Sequence, residues 1–124
     1  MTIGIVLFAH GSRDAAWPAP FELLAQRLRS RCPGARVSTA YLELTPPTLD
    51  AAVAALVAGG ATEIVVAPVF LAPGGHVRRD LPRMVETLRA RHPGVSMRVL
   101  PTVGEADPVL DAIAGWIAAE VHPR

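Results

Sequence analysis

The sequence contains no lysine: apart from four histidines, every basic side chain is an arginine. That excludes a Schiff-base lysine and the lysine of a phosphate-binding loop. No G-x-x-x-x-G-K-[ST] or G-x-G-x-x-G run occurs either, so no nucleotide cofactor is expected. Cysteine is almost as scarce. Cys32 stands alone, which rules out an internal disulfide or an iron–sulfur cluster held within one chain and points to a reducing cytoplasm. Neither charge sign dominates: 12 basic residues against 11 acidic leave a formal net charge of +1, too weak a general field for nucleic acid or an anionic membrane surface. Long apolar runs are missing too. The opening stretch from Ile3 to Ala9 has no positively charged leader and is far shorter than a spanning helix, so it reads as a buried strand.

What is present suffices for one compact domain. The 124 residues are 51% hydrophobic and 19% charged, too few for two cores, so a single domain over residues 1–124 is expected. Four apolar runs alternate with four amphipathic stretches, the pattern of an α/β fold in which helices flank a parallel sheet. The strands read as Thr2 to Ala9, Arg36 to Leu42, Glu63 to Phe70 and Val95 to Leu100. Helical spacing joins Phe21, Leu24, Leu28 and Cys32; Leu49, Val53, Leu56 and Val57; Leu81, Met84, Val85 and Leu88; and Leu110, Ile113, Ile117 and Val121. Asp80 and Asp107, each followed one or two residues later by proline, read as N-caps, which leaves Leu71 to Arg79 as a loop. Pro33-Gly34, Gly59-Gly60 and Pro93-Gly94 stop the first three helices. The first and third strands are continuously apolar, as central strands should be, and the fourth alternates, as an edge should. The expected order is therefore 2-1-3-4 in a flavodoxin- or Rossmann-like sheet, with a crevice where the central pair ends.

Each central strand delivers a histidine to that crevice: His10 in Ala9-His10-Gly11-Ser12-Arg13, and His76 in Leu71-Ala72-Pro73-Gly74-Gly75-His76-Val77-Arg78-Arg79. Glu43 follows the second strand. Two imidazoles and a carboxylate suit a borderline divalent ion, and three ligands leave coordination positions open. A single histidine after a strand is more often structural; the pair at one switch point is what suggests function. Gly11, Gly74 and Gly75 allow close backbone approach, and Arg13, Arg78 and Arg79 offer forks for carboxylates or phosphates. His92 and His122 read as helix-end and tail residues, Trp17 and Trp116 as packing or subunit contacts, and Met84 and Met97 as core fillers.

Together, His10-Gly11-Ser12-Arg13, Tyr41-Leu42-Glu43-Leu44 and Gly74-Gly75-His76-Val77-Arg78-Arg79-Asp80-Leu81-Pro82 resemble the short form of the CbiX/SirB sirohydrochlorin chelatases. These are the ATP-independent, class II chelatases of siroheme and cobalamin synthesis, and the resemblance runs over essentially the whole chain. It implies a metal pair, His10 and His76, with His10 also a proton acceptor and Glu43 an acidic helper. The stretch Leu71, Ala72, Pro73, Gly74 and Gly75 would line the tetrapyrrole site, with Arg13 and Arg78 suited to its carboxylates. The metal, Co²⁺ or Fe²⁺ with Ni²⁺ as a further choice, would be substrate, inserted as the ring's two pyrrole protons leave. Because metal and proton compete for imidazole, activity is expected to fall below the reference pKa of about 6.5. Longer relatives contain two such halves, so a homodimer is implied. Neither the cysteine-rich nor the histidine-rich extension of some members is present, so no iron–sulfur cluster is expected. Competing readings are a non-catalytic metal or tetrapyrrole carrier, a phosphohydrolase built on His10 and Arg13, and a binding module whose histidines are structural.

Overall fold

The computed structural model describes residues 2–72 and 74–122. Its elements run β1 (Ile3–Ala9), α1 (Ala19–Arg31), β2 (Arg36–Tyr41), α2 (Leu49–Ala58), β3 (Glu63–Pro68), α3 (Gly74–Arg91), β4 (Ser96–Val99), a 3₁₀ turn (Val103–Glu105) and α4 (Asp107–Val121). The four strands form one parallel sheet in the order β2-β1-β3-β4, as the hydrophobic pattern implies. Strands end one or two residues short of the apolar runs, because Leu42, Val69 and Phe70 already belong to the turns that leave the sheet.

The two faces of the sheet are filled differently. On one, Leu49, Val53 and Leu56 of α2 and Val77, Leu81, Val85 and Leu88 of α3 pack on Val6, Phe8, Ile64 and Val66. Burial of this many branched and aromatic side chains, each worth about 1.5–3 kcal/mol, is the main driving force for the fold. On the other face α1 alone supplies cover, with Ala25 and Leu28 against Leu7 and Val37. Its expected apolar stripe is only partly used, since Leu24 remains 41% exposed.

Two cap expectations need correction. Asp80 does not begin the third helix: α3 starts at Gly74, so His76, Arg78 and Arg79 are helical and Pro82 lies inside the helix. Proline there removes a backbone hydrogen bond and would normally end a helix. The buried spacing of Val77, Leu81, Val85 and Leu88 extends across the proline, and that packing outweighs the local preference. Asp107 is likewise the first residue of α4, with Ala106 in the cap position and making no side-chain cap bond. No helix among the described residues is long and apolar enough to cross a membrane.

Candidate functional site

The site lies where β1, β2 and β3 end. A9-H10-G11 leaves the sheet and meets the segment after β2, with Leu42 N–H donating to the Ala9 carbonyl at 2.8 Å. Gly11 passes so close to that segment that a methyl group on it would fall on the Glu43 carbonyl, which is why glycine is needed. The approach lets Gly11 N–H donate to Glu43 Oε1 at 3.3 Å, and it brings the same oxygen within 3.5 Å of His10 Nδ1. Thr45 closes the junction: its Oγ1 accepts from Ser12 N–H at 2.9 Å and donates to the Ser12 carbonyl at 2.8 Å. Leu44 takes a left-handed backbone conformation, φ 66°, to turn the chain there.

His10 is further fixed by aromatic neighbours. The indole Nε1–H of Trp17 donates to the His10 carbonyl at 2.6 Å, and the Phe70 ring meets the imidazole edge to face at 4.8 Å. Phe70 is buried and in turn packs on Phe8, so the imidazole leans on the core. Its side chain is nonetheless 47% exposed and that of Glu43 42%, so the pair faces solvent and is open to a ligand.

The structure thus brings two of the three expected ligands together. His76 stands apart in the first turn of α3, where Nε2 lies 3.2 Å from Asp80 Oδ2 and the side chain is largely exposed. Among the described residues no three histidine, cysteine, aspartate or glutamate side chains converge as a metal-holding group. Leu71 and Ala72 are exposed at the same end of the sheet, while Pro73 lies outside the described residues. Gly74, at φ 73°, and Gly75 open α3, so their backbone N–H groups belong to a helix N-terminus rather than to a loop. Arg13, Arg78 and Arg79 are exposed, and Arg78 borders a groove of about 530 Å³ between α3 and the end of β4. Trp17, Thr45, Phe70 and Asp80 hold the site in ways the sequence pattern did not reveal. Trp17 and Thr45 could have been sought as polar partners close in sequence to His10 and Glu43.

The CbiX family model matches residues 4–119. The sirohydrochlorin cobaltochelatase of Methanopyrus kandleri is 36% identical over 83 residues, 67% of this chain and 58% of that protein. A CbiX protein from Marinobacter aquaeolei VT8 superposes with a TM-score of 0.83 at 37% identity, covering 98% of this chain and 99% of that one. The sirohydrochlorin chelatase SirB from Bacillus subtilis subspecies spizizenii, solved in complex with cobalt, shares the fold, with a TM-score of 0.81 at 24% identity; 95% of this chain matches 50% of that one. This chain therefore spans somewhat over half the length of its curated cobaltochelatase relative and about half of SirB. With the sheet order and the family match in agreement, the chain belongs to the CbiX family.

Proposed function

We propose that this protein is an ATP-independent chelatase that inserts Co²⁺ or Fe²⁺ into sirohydrochlorin. The observation that carries the reading is the His10–Glu43 pair, one imidazole and one carboxylate 3.5 Å apart and exposed at the carboxyl end of two adjacent parallel strands. The cobaltochelatase name of the Methanopyrus kandleri relative supports the choice of reaction.

The chemistry asks for little beyond what these residues supply. Insertion exchanges one divalent ion for two pyrrole protons, so the site must hold a partly desolvated ion, accept protons and release the metal to the ring. In this reading His10 and His76 ligate the incoming ion, and as the metal–nitrogen bonds form the two pyrrole protons pass to Glu43 and to the imidazole of His10 as it releases the metal. Two imidazole ligands, or three ligands when the Glu43 carboxylate joins them, leave positions open for transfer to the macrocycle. For His76 to join, its imidazole must leave Asp80, an exposed pair whose rupture costs about 0–1 kcal/mol. The free N–H groups of Gly74, Gly75 and His76 at the start of α3, together with Arg13, Arg78 and Arg79, present positive potential to the carboxylates of the substrate. The exposed Leu71 and Ala72 offer apolar contact to the ring. The working unit is a pair of chains, in line with the double length of SirB, and the free thiol of Cys32 suits a reducing cytoplasm.

The test is anaerobic absorption spectroscopy of sirohydrochlorin with Co²⁺ and then Fe²⁺. His10→Ala and Glu43→Gln, confirmed folded by circular dichroism, should each lower the insertion rate by about 10²-fold or more. His76→Ala should raise the metal concentration needed for half-maximal rate. Insertion at the parent rate in both His10→Ala and Glu43→Gln would refute the assignment.

A further inference from the structure

Asp80 has no capping task in the structure, since α3 already begins at Gly74. Its carboxylate turns instead to a side chain one helical turn back: Oδ2 lies 3.2 Å from His76 Nε2. A spacing of four residues stacks the two side chains on one face of the helix. That face is fixed, because Val77 and Leu81, the residues that follow each member of the pair, are buried in the core. His76 is 72% exposed and Asp80 36%, so the pair is open to a solute arriving from water.

The separation is that of two donors on one ion. With metal–ligand distances of about 2.0–2.2 Å, neighbouring donors stand about 3.0 Å apart in an octahedral shell and about 3.4 Å apart in a tetrahedral one. A hydrogen bond spans the same gap, and an ion can take the place of the shared hydrogen. Nε2 then offers its lone pair, the ring N–H sits on Nδ1, and a carboxylate oxygen supplies the second bond. Imidazole with carboxylate suits the borderline first-row divalent ions. His10 and Glu43 repeat the pattern at 3.5 Å, and among the described residues the two pairs do not merge into a larger group of donors. The α3 pair is built to hold an ion lightly. It has two donors only, stands at the positive end of a helix, and has exposed Arg79 and Arg83 on the adjoining surface, each three residues after one of its members. An ion caught there is readily given up.

We infer that His76 and Asp80 form an entry site for divalent metal on α3, which takes the ion from solution and passes it on when His76 leaves Asp80 for the His10–Glu43 pair. The hand-over rests on the chelatase reading proposed above; uptake by the pair does not. Asp80 thereby becomes a metal ligand that acts before insertion.

Nuclear magnetic resonance of the histidine imidazoles, with Zn²⁺ as a diamagnetic probe and no tetrapyrrole present, tests the inference. In the His10→Ala/Glu43→Gln variant, Zn²⁺ should still shift the His76 signals saturably. Adding Asp80→Asn should weaken that binding about tenfold or more, and Asp80→Glu should restore part of it. Asp80 and His76 lie on the surface, so the far-ultraviolet circular dichroism spectrum should not change. If the double variant fails to fold, His10→Ala alone serves the same comparison. His76 signals that do not respond to Zn²⁺, or a response that Asp80→Asn leaves unchanged, overturns the entry site. The chelatase reading fails separately: Zn²⁺ binding at His76 and Asp80 in a chain that never metallates sirohydrochlorin would refute the chelatase and leave the site standing. Insertion by a chain whose His76 ignores Zn²⁺ would do the reverse.

Discussion

Gly11 bears the tightest constraint of the site residues. It carries the chain from His10 past the Glu43 carbonyl and donates to the Glu43 carboxylate, so one residue sets the spacing of the two candidate side chains. Gly11→Ala should force the β1 and β2 turns apart, destabilising the fold by about 1–3 kcal/mol and lowering the insertion rate at all metal concentrations. Thermal denaturation together with the rate measurement checks both effects; an alanine variant with parent stability and rate would show that the close approach is not required. His10 depends similarly on its neighbours: Trp17 holds its backbone carbonyl and Phe70 supports its ring. Among the described residues His76 pairs with half-exposed Asp80, which would suit the mobile ligand proposed above.

Among the helices, α2 shows the closest agreement between local code and structure. Thr48 caps it by accepting from Ala51 N–H at 3.1 Å, and Leu49, Val53 and Leu56 are buried as their spacing requires. Thr48→Ala should cost about 1 kcal/mol, visible as a lower urea midpoint, without altering insertion. A variant with unchanged stability would mean that the cap contributes nothing. The strand order and both central strands were equally legible, since uninterrupted runs such as Ile5-Val6-Leu7-Phe8 identify strands buried on two faces. The start of α3 was not legible, because Asp80 and Pro82 form a convincing local helix signal. The burial of Val77 below them is a tertiary effect that sequence spacing does not report. The same displacement hid part of the site. Reading residues 71–79 as a loop missed the pairing of His76 with Asp80 one helical turn later. Apolar spacing on α4 was legible as a helix, yet it carries no information about which molecule covers that stripe.

Across the chain, a single α/β unit brings His10 and Glu43 to one end of its sheet and keeps a second, uncovered apolar surface along one face. Turnover separates a chelatase from a carrier, because a carrier with the same ligands would bind metal and tetrapyrrole and then stop. The most direct measurement is therefore the number of sirohydrochlorin molecules metallated per chain, followed anaerobically by absorbance with Co²⁺ and sirohydrochlorin both in large molar excess over protein. Many equivalents metallated per chain, at a rate proportional to protein concentration and well above the protein-free background, is the predicted result. A change that halts at one equivalent, or that proceeds no faster than the background, would contradict it.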